Sequence, residues 1–289
     1  MTKVEPTCTT KLIDLPHGVI LHTERHRVGT DAPSMTVVCI HGLGSTSTAF
    51  YPIIKHILTA LPAAHLIAYD WAGSGSSPRP SSVSDRTVAD HVSDLDALIG
   101  AEAPSGPLVI LAHSAGTHLA SRWLLTPSPH VTRVTHAIYL GGPINIPLSP
   151  EVTTMQLDLA TTIAAGGPAA VVDSLAPMLL GATSMVERPV AVTALRAIML
   201  AQSAEGYAAA IRAFSKNMGE GDAPVDWAAI RDKVKILVVA GEEDVLLGQT
   251  EVAGFLERAV VKKIARAGHT LTLEAPEETA KMIVEFLQN

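Results

Sequence analysis

The chain has 289 residues, 47% of them hydrophobic and 17% charged, which is enough apolar mass for one large α/β domain or two small ones with a substantial core. Its formal net charge of −7 and pI near 5.9 speak against nucleic acid or an anionic membrane as a partner. Cys8 and Cys39 give no disulfide framework, and Met1 to Lys11 is too polar for a signal peptide. Glycine, proline, serine and histidine interrupt the long uncharged runs, unlike a membrane span. A soluble cytoplasmic protein is the expectation.

Thr9–Ile13 and Val19–Arg27 flank Pro16-His17-Gly18 and read as a hairpin at the start of a sheet. Met35–Ile40 reads as a buried strand ending in His41-Gly42-Leu43-Gly44-Ser45, and Cys39 within it as a small buried hydrophobe. Helical spacing follows from Ala49 to Leu61. The strand His65–Tyr69 runs into Asp70-Trp71-Ala72-Gly73-Ser74-Gly75-Ser76-Ser77, and a loop covers Pro78–Ser84. Thr87–Ile99 fits an amphipathic helix with Val88, His91, Leu95 and Leu98 on one face.

Leu108-Val109-Ile110-Leu111 is a short run of mostly branched apolar residues, as in a strand buried on both faces of a parallel sheet. Ala112-His113-Ser114-Ala115-Gly116 follows, and Thr117–Leu125 can continue as a helix. A serine on a sharp strand-to-helix corner needs small neighbours, because its backbone is strained and the helix packs close to the strand. Ala112 stands where Gly-x-Ser-x-Gly has its first glycine. Another short strand, Ala137–Leu140, ends at Gly141-Gly142-Pro143.

Strand–helix alternation then stops. Helical patterns cover Glu151–Ala165, Ala169–Leu180, Val190–Gln202 and Glu205–Met218. Alternation resumes with the strand Lys235–Ala240, a helix around Gln249–Arg258, the strand Val260–Ile264 and a final helix Pro276–Leu287. The expected organisation is a core of residues 1–143 and 227–289, with 144–226 inserted as a helical cap over one end of the sheet.

A serine nucleophile needs a base, and the base needs an orienting acid. Gly241-Glu242-Glu243-Asp244 puts acids in the loop after one strand, and Ala267-Gly268-His269 puts a histidine in the loop after the next. The C-terminal edge of a parallel sheet is where such loops converge. Asp244 is favoured as the acid, with Glu242 and Glu243 as neighbouring alternatives.

In this order the pieces resemble the α/β-hydrolase superfamily, among its capped serine esterases and lactonases. The matching residues are His41-Gly42-Leu43-Gly44, Asp70-x-x-Gly73-x-Gly75-x-Ser77, Ala-His-Ser114-Ala-Gly, Gly-x-x-Asp244 and Gly-His269. The resemblance implies a mostly parallel sheet flanked by helices. It implies Ser114, Asp244 and His269 as the catalytic residues, with Leu43 and Ala115 giving backbone N–H groups to an oxyanion hole. It implies no cofactor and no metal. His41 and His113 read as structural. A serine at 114 argues against dehalogenases and epoxide hydrolases, which attack with a carboxylate. Carbon–carbon bond hydrolases of ketone or diketone substrates keep the same serine machinery, and a non-catalytic receptor on this fold is a further alternative.

The inserted block bears on the substrate. Between Leu159 and Val186 the only charge is Asp173, and no Phe, Trp or Tyr occurs from Leu140 to Gly206. Met155, Met178, Met185, Met199 and Met218 fall within the block. Aliphatic and Met side chains over a site make an adaptable apolar pocket. The expected partner is a small, uncharged, largely apolar ester or lactone, with Trp71, Met178 and Met185 as candidate pocket residues.

Overall fold

The computed structural model describes residues 5–29, 32–80, 86–142, 149–219, 225–246 and 259–289. The expected helix at Gln249–Arg258, the start of the expected cap at 144–148 and the end of the expected Pro78–Ser84 loop lie outside them. The described strands are β1 (Thr7–Asp14), β2 (Ile20–Arg27), β3 (Met35–Ile40), β4 (Ala64–Tyr69), β5 (Leu108–His113), β6 (Val134–Leu140), β7 (Lys235–Gly241) and β8 (Val260–Ile264). They form one sheet in the order β1-β2-β4-β3-β5-β6-β7-β8. The first two pairings are antiparallel, and all later ones are parallel.

Alternation along each strand divides the core. Val38, Ile40, Ile110 and Ala112 face one side, where α2 (Val88–Glu102), α3 (Ala115–Leu124) and α9 (Trp227–Arg231) pack. Val37, Cys39, Val109 and Leu111 face the other, against α1 (Tyr51–Ala60) and α10 (Pro276–Leu287). Both faces are covered, which is why the central strands are continuous apolar runs. The helix starts carry their own signals: Thr87 and Asp90 close a capping box on α2, and Pro150 and Pro276 stand in the first turns of their helices.

Between β6 and β7 the described chain is helical. It forms α4 (Pro150–Gly166), α5 (Val172–Leu179), α6 (Ala182–Glu187), α7 (Pro189–Leu200) and α8 (Ala204–Gly219). These helices build a cluster of their own around Ile163, Leu180, Leu195, Met199 and Ile211. Helix α8 serves two cores. Tyr207, Ala208 and Ile211 belong to the helical cluster, whereas Ala213 and Phe214 sit in the main core below the sheet. Among the described residues, no helix is long and apolar enough to cross a membrane.

The strand order fixes where a site can form. From β3 the chain moves to β4 on one side, and β5 lies on the other side of β3. Loops that leave β3 and β5 in opposite directions open a crevice at the strands' C-terminal ends. His41–Gly44 and Ser114 leave those two strands at that crevice.

Candidate active site

Ser114 links β5 directly to α3 with φ 53° and ψ −127°, a conformation that an L side chain adopts only under constraint. Its surroundings supply the constraint. The Ser114 N–H donates to the Leu140 carbonyl at 2.9 Å, and the Ser114 carbonyl accepts from the Thr117 N–H at 2.8 Å and the Thr117 hydroxyl at 2.6 Å. Gly116 allows α3 to start against the end of β3. A methyl group there would lie 2.5 Å from the carbonyl oxygens of both Ile40 and His41. The small residues around the serine therefore answer to close backbone packing.

Loops after β7 and β8 bring the acid and the histidine to this corner. His269 Nε2 lies 2.8 Å from Ser114 Oγ, and His269 Nδ1 lies 2.8 Å from Asp244 Oδ2. The His269 and Asp244 side chains are fully buried, while Ser114 is half-buried. Asp244 Oδ1 accepts the Leu246 N–H at 3.0 Å, which occupies the carboxylate oxygen turned away from His269. A proton can pass from the hydroxyl to Nε2 while the carboxylate stabilises the imidazolium.

Glu243 does different work. Its carboxylate accepts the Thr183 N–H at 2.8 Å and the Thr183 hydroxyl at 2.5 Å. It caps the start of α6, and those hydrogen bonds hold its carboxyl below the usual range.

Three buried side chains hold the frame. His113 Nε2–H donates to the His269 carbonyl at 3.0 Å. Burial, helped by the neighbouring His269 ring, lowers the His113 pKa to about 3, so this donor is neutral. His41 sits between Gly42, whose carbonyl lies 2.8 Å from Nδ1, and the Trp71 N–H, which donates to Nε2 at 3.1 Å. Burial lowers the His41 pKa, and one neutral tautomer satisfies both bonds. Asp70 gathers the loops, accepting the Ser47 N–H at 2.7 Å and the Ser76 N–H at 2.9 Å.

Leu43 and Ala115 are the expected oxyanion donors. Ala115 opens α3, where the first N–H groups have no intrahelical partner. Leu43 follows Gly42, whose backbone lies against the serine: a methyl group at Gly42 would be 2.7 Å from Ser114 Cβ.

The candidate pocket residues separate. Trp71 is 1% exposed, stacked between His41 at 4.6 Å and Phe214 at 5.0 Å. The expectation that it lines the pocket gives way to a packing role, because an indole between two rings has no free face. Met185 is half-buried against the helical cluster. Met178 is 38% exposed, one residue before Leu179, whose carbonyl accepts the Thr270 N–H at 3.1 Å.

That contact introduces residues that pattern reading misses. The buried Glu274 accepts the N–H groups of Gly181 and Gly268 at 2.8 Å and of Thr270 at 2.9 Å. One carboxylate thus ties the helical block to the His269 loop. Gln202 makes a second tie, accepting the Gly75 N–H at 3.3 Å and donating to the Ser45 carbonyl at 3.0 Å. Tyr207 lies directly over Gly44, where a methyl group would meet its ring and hydroxyl at 2.5 Å. Their partners are backbone groups far away in sequence, so no local motif signals them. A buried acid shortly after Gly-His is the one hint that Glu274 offers.

The chain belongs to the alpha/beta hydrolase family, whose model matches residues 37–282. Solved structures agree on the fold. An esterase from Thermogutta terrifontis superposes with a TM-score of 0.82 at 20% identity, over 97% of this chain and 98% of that one. The enol-lactonase from Burkholderia xenovorans LB400 does so with a TM-score of 0.77 at 20% identity, over 96% and 100%. A Bacillus subtilis (strain 168) protein, provisionally named 2-succinyl-6-hydroxy-2,4-cyclohexadiene-1-carboxylate synthase, is 24% identical over 91% of this chain and 94% of its own. The mycobacterial protein EphD, provisionally named an oxidoreductase, is 29% identical over 46% of this chain. This chain spans only 21% of the length of that relative.

Proposed function

We propose that the protein is a serine hydrolase of small, largely apolar carboxylic esters or lactones. The observation that carries this reading is the relay itself, with Ser114 Oγ and Asp244 Oδ2 each 2.8 Å from opposite nitrogens of His269. Ser114 attacks the carbonyl carbon while His269 takes the hydroxyl proton. Asp244 keeps the imidazole in the right tautomer and stabilises its charge. The Leu43 and Ala115 N–H groups receive the oxyanion, where losing one donor typically costs ~10²–10³ in turnover. His269 then protonates the leaving oxygen, and water cleaves the acyl-enzyme by the same steps in reverse. No step calls for a cofactor.

The esterase and enol-lactonase neighbours support this substrate class, as does the apolar helical block between β6 and β7, which we take to be a cap over Ser114. Fold alone does not fix chemistry, and one relative of similar length is named as a synthase. The test is therefore a panel of nitrophenyl esters of graded chain length, aliphatic lactones and vinylogous diketones. Turnover of esters or lactones that falls by several orders of magnitude in Ser114→Ala is expected; in another serine triad the loss is ~10⁶-fold. Activity confined to the diketones would replace hydrolysis of esters with carbon–carbon bond cleavage. Tight ligand binding without turnover would point to a receptor.

A further inference from the structure

The β1–β2 hairpin carries a second cluster of reactive side chains. The antiparallel register sets Cys8 directly opposite His26, and Thr10 opposite Glu24. Residues two apart on a strand share a face, so Glu24 and His26 stand side by side with Cys8 across from them. Cys8 Sγ lies 3.7 Å from His26 Nε2, and His26 Nε2 lies 3.3 Å from Glu24 Oε2. All three atoms fall within 4.8 Å of one another.

We propose that Cys8, Glu24 and His26 form a binding site for a divalent transition-metal ion of the zinc type. Zinc bonds of ~2.0–2.3 Å to nitrogen, oxygen and sulfur in a tetrahedron place neighbouring donor atoms about 3.4–3.6 Å apart. The two short separations in the cluster bracket that spacing. A thiolate, an imidazole and a carboxylate together select zinc-like ions over magnesium or calcium, which prefer all-oxygen sites.

Two further features point to a cation. Glu24 is only 4% exposed, and among the described residues its ion pairs are with His22 and His26, with no Lys or Arg. A buried carboxylate needs a counter-charge or strong donors. Its other oxygen, Oε1, accepts the Tyr51 hydroxyl at 2.9 Å, which turns Oε2 toward the cluster as an outer-shell partner does for a metal ligand. Cys8 is exposed, so the site opens to solvent on that side and leaves the fourth position for water. Binding breaks the S–H bond, gives the proton to water and forms the sulfur–metal bond.

The test is titration of metal-free, reduced protein with Co²⁺ as a spectroscopic stand-in for Zn²⁺. One equivalent should bind with tetrahedral d–d absorption and a thiolate-to-cobalt charge-transfer band, and Zn²⁺ should displace it. Cys8→Ser should abolish the charge-transfer band and, like His26→Gln, weaken binding by more than ~100-fold. Tyr51→Phe should weaken it ~10–100-fold, as for an outer-shell partner. Cys8 is exposed on an edge strand, so unchanged nitrophenyl-ester turnover or an unchanged circular dichroism spectrum in Cys8→Ser verifies the fold. No charge-transfer band in the wild type at millimolar Co²⁺ would overturn the site. So would a band that survives Cys8→Ser.

Discussion

At the scale of single residues, two adjacent acids divide two tasks. Asp244 faces His269, and Glu243 caps α6. Asp244→Asn should keep the fold and lower turnover by roughly 10⁴-fold, because the amide favours the wrong histidine tautomer. Glu243→Gln should change turnover less than ~10-fold while costing about 0.5–2 kcal/mol of stability through the helix start. Steady-state kinetics beside urea denaturation separate the two, and a larger kinetic loss in Glu243→Gln would reverse the assignment. His91 illustrates a different effect. Burial, with Arg86 nearby, lowers its pKa to about 3. The folded protein holds it neutral, whereas the unfolded chain takes up a proton below about pH 6.5. Its contribution is therefore intact above pH ~6.5 and drains away as pH falls toward 3, by up to ~1.4 kcal/mol per pH unit. His91→Phe should flatten the decline in urea midpoint between pH 6.5 and 5. An equal slope in both proteins would mean that His91 is protonated in the fold.

At the scale of elements, close approach and backbone capture decide the geometry. Gly116→Ala places a methyl group against two backbone carbonyls that cannot retreat, and overpacking of this kind costs typically ~1–3 kcal/mol. Its urea midpoint should drop accordingly, together with turnover. Glu274→Gln replaces an acceptor with an amide that must turn one N–H toward the N–H groups it served. A loss of ~1–3 kcal/mol is expected, with reduced turnover because the His269 loop loosens. Turnover and stability equal to the wild type would mean that Glu274 does not hold the His269 loop. Much of this architecture is legible in the sequence. The strands Met35–Ile40 and Val260–Ile264 and the helix Pro276–Leu287 have the expected bounds, because apolar runs, turns and an N1 proline mark their ends. The short helix Ala182–Glu187 and the helical turn Leu271–Glu274 are not legible. Elements of four to six residues are too short for a 3.6-residue period to emerge. Glu274 and Gln202 escape for another reason: their partners are backbone groups brought near only by the tertiary fold.

At the scale of the whole molecule, Ser114, Asp244 and His269 meet on the sheet loops, and the helical block packs as a cluster of its own. Glu274 and Gln202 join the two, and α8 runs from one core into the other. If the block covers Ser114, enlarging a pocket-facing residue should change substrate preference while the nucleophile stays reactive. Met178 is the better candidate, since it neighbours the Leu179–Thr270 contact beside His269; Met185 packs into the helical cluster. Met178→Trp should reject longer acyl chains selectively, with each methylene worth about 1–3 kcal/mol in a fitted pocket. A uniform loss across an ester series would place Met178 outside the pocket.

The most direct test of the central claim is covalent labelling of the intact protein with a fluorophosphonate. One adduct per chain is expected, mapped to Ser114, absent in Ser114→Ala and slowed by orders of magnitude in His269→Gln. A folded wild-type protein that gains no adduct, or gains it at another residue, would contradict it.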